Sequence, residues 1–366
     1  MSGKGQDGQP VGGDLTRGLI TTVRAEVMSG KWPLHARLPT DDALARAHGV
    51  GRNTVRRALR ALVAEGLLER RHGSGTFVVG APALVDEPTP VIGMLVPTTR
   101  RYFPDLIAGV ESVIRRSGGH LLLRSTEQDQ SRELHLLDAL LAQRPSALVV
   151  APTLFGVVDP EAYLRRLNQL RLPLVVVERV PDGRDGRQLS YVATDTWEGA
   201  RLAVEHLSGL GRRRVGLLSP RNTATSEQVL AGFRAAVVEH GLNSDRAIVR
   251  RAGWSERDLA DYAARVRELG LDGLMCLGDR VAERLLPHLR RVGISVPQDV
   301  AVVAYEDEVA RHAEIPLTAV VPPRFEVGRM AGDLVLRAMD LGAETPTARV
   351  ALMPRLVVRA STRPTS

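Results

Sequence analysis

Cysteine occurs once in 366 residues, at Cys276, so no intrachain disulfide can form and the chain suits a reducing compartment. Lysine occurs only at Lys4 and Lys31, so nothing beyond residue 31 can form a Schiff base. No G-x-S-x-G, H-E-x-x-H or phosphate-loop pattern is present, and the nine histidines show no metal-ligand spacing. No stretch approaches the roughly 18–20 apolar residues of a membrane span. The opening MSGKGQDGQPVGGD has no apolar segment of the kind a secretory leader carries. These absences lead us to expect a soluble cytoplasmic protein that is not an enzyme, holds no metal or cofactor and does not engage a membrane.

Apolar residues are not scarce. A hydrophobic content of 44% supports real cores, and the length suits two or three domains. The formal net charge is +7, unevenly spread: residues 1–80 hold 12 basic and 7 acidic side chains, the remainder 37 and 35. Most of the excess sits in about a fifth of the chain, which suggests a polyanionic partner at that end. Arginine is used in place of lysine almost throughout, so arginine count alone says little and placement must decide.

Residues 1–13 read as a disordered tail. From Asp14, which can cap a helix, Leu15, Leu19, Val23 and Val27 recur every four residues. Gly30 and Pro33 end that helix. Thr40 can cap a short second helix that closes near Gly49, and a third runs from about Gly51 to Glu65 and stops at Gly66. Two strand-like runs, LLERR and TFVV, flank HGSG, a spacing that suits a hairpin. Residues 80–90, with three prolines and no periodicity, read as a linker. From Val91 onward VIGMLV, LLLRS, ALVVA, LVVVE, VGLLS, GLMCL and VAVVAY alternate with helical stretches. Continuous Val/Leu runs fit strands buried on both faces, and strand–helix alternation implies parallel sheets with right-handed crossovers. About 275 residues is too many for one sheet of this kind, so two linked α/β subdomains are expected.

The third helix, within GVGRNTVRRALRAL, separates two faces. Advancing about 100° per residue puts Val55, Ala58, Leu59, Leu62 and Val63 on one side and Asn53, Arg56, Arg57 and Arg60 on the other. A solvated amphipathic helix would look similar. Against that, the segment carries no carboxylate to pair with its arginines, and the order helix–turn–helix places the second helix where it can enter a major groove.

The stretch LPTDDALARAHGVGRNTVRRALRALVAEGLLERRHGSGTFV resembles the GntR-type winged helix-turn-helix, through LP-[ST]-[DE], GV-x-R-x-T-V-R-x-A-L and EGLLERR-x-G-x-GTFV. The resemblance covers residues 14–79 without a gap. It implies DNA contacts at Thr40, Arg52, Asn53, Thr54 and Arg56, and at His72 and Gly73 on the wing. Arg52 and Arg56 lie one turn apart and can reach a guanine edge or a phosphate. Thr54 and the exposed amides of the helix N-terminus suit a phosphate. Gly73 and Gly75 let the wing backbone approach a duplex closely. Asp42 departs from the pattern: several family members carry a DNA-contacting arginine there, and an acid would repel phosphate.

Residues 91–366 resemble the effector domain of LacI/GalR repressors, itself like a periplasmic sugar-binding protein. The likeness runs through VIGMLVP, DLIAGVESVIRRSGGHLLL, ATDTWEGARLAVEHLSGLGRRRVGLLS, EQVLAGFRAAVVEHGL, GISVPQDVAVVAYED and LVVRAST. It implies two α/β lobes joined by three crossings, with a small molecule in the cleft. The whole chain then has the architecture of arabinose-repressor-like regulators. Ligands bind at the carboxyl ends of parallel strands, where Tyr102, Phe103, Glu178, Trp254 and Asp279 fall. Sugar-like ligands need carboxylates for their hydroxyls and a flat aromatic for a C–H face. The resemblance implies effector contacts at Tyr102, Phe103, Trp254 and Asp279, and strand position adds Glu178. Two family positions differ. An arginine three residues before the glycine of A-G-F-R is Val229 here, and the asparagine before the cleft aspartate is Gly278. Both losses remove hydrogen-bonding capacity.

The expected function is a sequence-specific DNA-binding transcriptional regulator, a repressor, whose affinity for a palindromic duplex operator changes when a carbohydrate-like effector binds, and which acts as a homodimer. A regulator whose second domain only dimerises is the alternative. GntR-type readers also occur fused to pyridoxal-phosphate aminotransferase domains, but the absence of lysine beyond Lys31 excludes that enzyme here. A solute-binding transport protein conflicts with the DNA reader.

Overall fold

The computed structural model describes residues 12–366 apart from 72–73, 80–88, 155–158, 182, 221–223, 245–247, 252 and 364–366. The tail expected over 1–13 and the linker over 80–90 therefore lie almost wholly outside the described residues. The chain divides into two compact units, Met1–Thr89 and Pro90–Ser366.

The first unit comprises helices α1 (Gly12–Met28), α2 (Asp41–Ala47) and α3 (Arg52–Ala64), then strands β1 (Leu68–Arg71) and β2 (Gly75–Val78). Asp14 lies inside α1 rather than at its cap. Thr40 does cap α2, its hydroxyl accepting from the Ala43 amide at 3.3 Å. Gly49 (φ 63°) turns the chain into α3, and Gly66 (φ 72°) ends it; both need the left-handed region that glycine enters freely. Leu19, Val23, Val27, Leu44, Val55, Ala58, Leu59 and Leu62 close one core with Leu67, Leu68 and Val78. β1 and β2 pair antiparallel from Leu68↔Val78 to Arg71↔Gly75. The segment ahead of α2 joins that hairpin, with the His35 amide donating to Val78 O (2.7 Å) and the Leu38 amide to Thr76 O (2.9 Å).

The second unit has two lobes. The first contains β3 (Val91–Val96), α4 (Phe103–Arg116), β4 (His120–Ser125), α5 (Glu133–Leu141), β5 (Ala147–Val150), α6 (Pro160–Gln169), β6 (Leu174–Val177), the short α7 (Gly183–Gly186) and β7 (Ser190–Thr194). The chain then crosses into α8 (Thr196–Gly209), β8 (Val215–Pro220), α9 (Ala224–Glu239), β9 (Ile248–Arg251), α10 (Glu256–Leu269), β10 (Gly273–Leu277), α11 (Asp279–Arg291), β11 (Ala301–Tyr305) and β12 (Thr318–Val321). It returns as α12 (Arg324–Leu341), which packs on α4, continues as β13 (Arg349–Leu352) and crosses a third time into β14 (Arg355–Val357).

Strand orders are β4-β3-β5-β6-β7-β13 and β9-β8-β10-β11-β12-β14. Every pairing in these sheets is parallel except β12–β14. The two lobes thus repeat one doubly wound plan, each closed at one edge by a late strand, β13 after the second crossing and β14 after the third. Both faces of each sheet are covered. Ile92, Met94 and Val96 pack beneath α4 and α12, while Leu95, Leu148 and Val150 meet α5 and α6. In the second lobe Leu274 and Cys276 face α10 and α11, and Met275 and Leu277 face α8 and α9.

The contact between α4 and α12 depends on glycine. A Cβ at Gly109 would lie 2.1 Å from Phe325 O, and one at Gly328 would lie 2.0 Å from Leu106 O. Both neighbours are backbone and cannot step aside. Helix propensity favours alanine over glycine by about 1 kcal/mol, but the overpacking costs about 1–3 kcal/mol or more. Gly328→Ala is therefore expected to lower the urea midpoint. Gly209→Ala at the end of α8, where no atom lies within 4 Å, should leave the midpoint unchanged or raise it.

Candidate functional site

In the first unit, α3 buries Val55, Ala58, Leu59 and Leu62 and exposes Arg52, Asn53, Arg56, Arg57 and Arg60, the division read from the sequence. Thr54 turns inward and is 8% exposed. Its amide donates to Gly51 O at 2.9 Å in the first turn of α3. Thr40 is exposed and its hydroxyl is engaged in the α2 cap. His72 and Gly73 lie outside the described residues. Gly75 beside them has φ 118° and sits against the Arg37 guanidinium.

The arginines of α3 do have acidic neighbours, supplied by α2 rather than by their own helix. Arg52 pairs with Asp42. Asp41 takes Arg56 Nε and Arg70 Nη2, each at 3.3 Å, tying α3 and β1 to α2. No segment-by-segment reading finds these partners, because the turn at Gly49 brings them into register.

In the second unit the carboxyl ends of the two sheets face a cavity of about 190 Å³ lined by Tyr102, Phe103, Glu178, Arg179, Thr196, Thr225, Tyr305 and Glu306. Tyr102 precedes α4, and its hydroxyl donates to Glu178 Oε1 at 2.6 Å. The same carboxylate accepts from the Thr194 hydroxyl (3.0 Å) and amide (3.2 Å). Arg324, entering from the second crossing, stacks its guanidinium over the Tyr102 ring at 4.8 Å, and Phe103 meets that ring edge-on at 5.6 Å. Three of the sequence candidates, Tyr102, Phe103 and Glu178, thus converge.

The other two stand elsewhere. Asp279 is 1% exposed, and its Oδ2 accepts the amides of Val309 (2.6 Å) and Ala310 (3.1 Å), fastening the loop after β11. Trp254 packs edge-on against Tyr262 at 6.3 Å on the α10–α11 side of the second lobe. Neither lines the cavity. Val229 is fully buried in the core beneath α9. Gly278 has φ 112°, a conformation that a side chain strains, which accounts for glycine there.

Glu306 was not singled out from the sequence, although the rule that found Glu178 also finds it. β6 and β11 hold the same place in their sheets. Glu178 follows β6 and Glu306 follows β11. Each has positive φ (54° and 78°), and each amide donates to the neighbouring strand, at Val192 O (3.0 Å) and Val320 O (2.9 Å). Burial raises the pKa of Glu178, partly offset by its hydrogen bonds from Tyr102 and Thr194. Burial pushes Glu306 up to about 7, with Arg324 opposing and Glu308 and Asp279 adding to the rise. The Tyr305 hydroxyl, buried beside them, has no hydrogen-bond partner among the described residues. The site is therefore a small polar chamber with two carboxyl groups, one on each lobe, and an uncommitted hydroxyl. It can accept hydrogen bonds from a hydroxylated molecule in a cavity that Tyr102 and Phe103 also line.

Among the described residues no group of three or more histidine, cysteine or acidic side chains could hold a metal, and no helix is long and apolar enough to cross a membrane. Burial pushes the Cys276 thiol up to about 12, leaving it inert as a nucleophile.

Residues 15–78 match the family described as bacterial regulatory proteins, gntR family, and residues 204–362 match the periplasmic binding protein-like domain. Two similar proteins are the arabinose metabolism transcriptional repressors of Geobacillus stearothermophilus (28% identical over 92% of this chain and 94% of that one) and Halalkalibacterium halodurans (26% over 93% and 94%). Among solved structures, a LacI-family protein from Sanguibacter keddieii is 31% identical, covering 74% of this chain and 98% of that one at a TM-score of 0.61. The chain belongs to the LacI family of transcriptional regulators. The regulator carries a GntR-type reader ahead of its two-lobed domain, and its relatives and structural neighbours are regulators rather than enzymes.

Glu306 gives the regulator a signed pH dependence. A carboxyl whose pKa is raised on folding binds its proton more tightly in the native state, so its contribution is complete below the ordinary carboxyl range and is lost as pH rises through about 7. Glu306→Gln removes that loss. Thermal melts should show the variant gaining on wild type as pH rises from 5 to 8, with little difference at pH 4.

Proposed function

We propose that this regulator is a repressor that binds a palindromic duplex operator as a homodimer, and that a small carbohydrate-like molecule in the interlobe cleft changes its affinity. One observation carries the reading: an arginine-bearing helix of a winged helix-turn-helix shares its chain with a two-lobed domain whose cleft presents Tyr102, Glu178 and Glu306 from opposite lobes. The names of the arabinose relatives support the ligand class.

The second domain can open and close about its three crossings. A ligand held by groups of both lobes binds the closed form better and shifts the population toward it by its difference in affinity for the two forms. In a dimer, closure changes the relation of two readers, and an operator with fixed half-site spacing responds to that change. The crossings are short: Asp195, Pro322–Pro323 and Met353–Pro354 link elements of one lobe to elements of the other. Among the sequence candidates, Arg52, Asn53 and Arg56 form the reading edge, with Arg57 and Arg60 along the phosphates.

Arg56→Ala removes one side chain from the reading edge and should weaken operator binding by roughly 1–3 kcal/mol in a gel-shift titration. Unchanged affinity would remove Arg56 from the interface. For the cleft, sugars, polyols and nucleosides screened by thermal shift should yield a stabilising compound with wild type and a shift at least halved with Glu178→Gln. If no compound stabilises the wild type, the dimerisation-only alternative is favoured, consistent with the hydrogen-bonding capacity missing at Val229 and Gly278.

A further inference from the structure

The two acids at the start of α2 hold arginines in different ways. Asp41 has a side chain only 20% exposed and bridges Arg56 and Arg70, so it joins three elements of the first unit. Asp42 has a side chain 48% exposed, and its Oδ1 pairs with Nε of Arg52, itself 65% exposed. The pair edges an open concavity lined by Asp42, Ala45, Arg46, Val50 and Arg52.

An arginine held at Nε keeps both terminal nitrogens, and these can donate together to guanine O6 and N7. Holding the side chain also removes rotamer freedom before binding, where a free arginine would lose it on the duplex. The carboxylate works against general attraction to phosphates. An acid beside the first arginine of the reading helix thus trades non-specific affinity for orientation. Its favourable position in the first turn of α2 does not require it to reach across to α3.

We propose that Asp42 is a specificity-determining positioning residue, which holds Arg52 by Nε so that the terminal nitrogens of Arg52 read one guanine in each half-site. The acid that replaces the expected arginine would then redirect base reading rather than merely forfeit a contact. This rests on the reading of the first unit as a sequence-specific DNA binder.

The test is selection of bound sequences from a random duplex pool with the full-length protein, comparing wild type with Asp42→Ala, Asp42→Glu and Arg52→Ala. Wild type is expected to enrich a motif with a guanine in each half-site. Asp42→Ala should lose about tenfold in preference for that guanine, keep the rest of the motif, and bind random duplex at least as tightly. Asp42→Glu should restore part of the preference. Arg52→Ala should lose the same guanine, and adding Asp42→Ala should lose little more, as expected of residues acting as a pair. An unchanged motif with uniformly tighter binding would mean that Asp42 only repels phosphate and would overturn the proposal. So would a loss spread over every position with a lowered melting temperature. A wild type that enriches no motif would overturn the underlying DNA-reading assignment as well, which separates the two failures.

Discussion

Burial of both faces of the two parallel sheets constrains everything else in the second unit. Strands such as Ala147–Val150, Gly273–Leu277 and Ala301–Tyr305 are buried throughout, so they can carry no exposed polar side chain along their length. Polar chemistry is pushed to the strand ends, and the carboxyl ends of both sheets face the cleft. Tyr102, Glu178, Thr194, Tyr305 and Glu306 all lie at or just beyond such ends. Because the lobes repeat one strand order, the same end of the same strand supplies a carboxyl group to each wall.

The cleft has its own internal order. Tyr102 is fixed at both ends, its hydroxyl by Glu178 and its ring by Arg324. Arg324 begins α12, which returns to the first lobe after the second crossing, so the aromatic wall and a crossing are physically joined. A ligand that competes for Glu178 would disturb that junction directly. Asp279 contributes from behind, by holding the amides of Val309 and Ala310 and so the loop that follows Glu306. Its placement at a strand end serves loop anchorage in this structure.

In the first unit the same economy governs charge. The arginines on α3 cannot pair within their helix, since GVGRNTVRRALRAL contains no acid. The sharp turn through Gly49 places Asp41 and Asp42 beside Arg52 and Arg56. Arg57 and Arg60 remain exposed and without these acids. The arginine face is graded: its leading edge is oriented by carboxylates, and among the described residues its trailing part has no acidic partner.

The helices of the reader were legible because period and caps agree: Thr40, Gly49 and Gly66 mark boundaries that the fold keeps. The central strands were legible because burial on both faces demands uninterrupted Val, Leu and Ala. The edge strands Arg349–Leu352 and Arg355–Val357 were not, since alternating or partial exposure dilutes the apolar run. Strand ends, together with the family resemblance, pointed to Tyr102, Phe103 and Glu178, which line the cavity, and equally to Trp254 and Asp279, which do not. The role of Asp279 and the packing of Trp254 against Tyr262 could not, because each depends on a neighbour far along the chain. By itself the sequence determined which residues stand at strand ends and on the outer face of α3, through local periodicity and turn chemistry. Only the tertiary structure decided which of them meet, because pairing Asp42 with Arg52, or Glu178 with Tyr102, requires separate segments to be held within hydrogen-bond distance by a shared core.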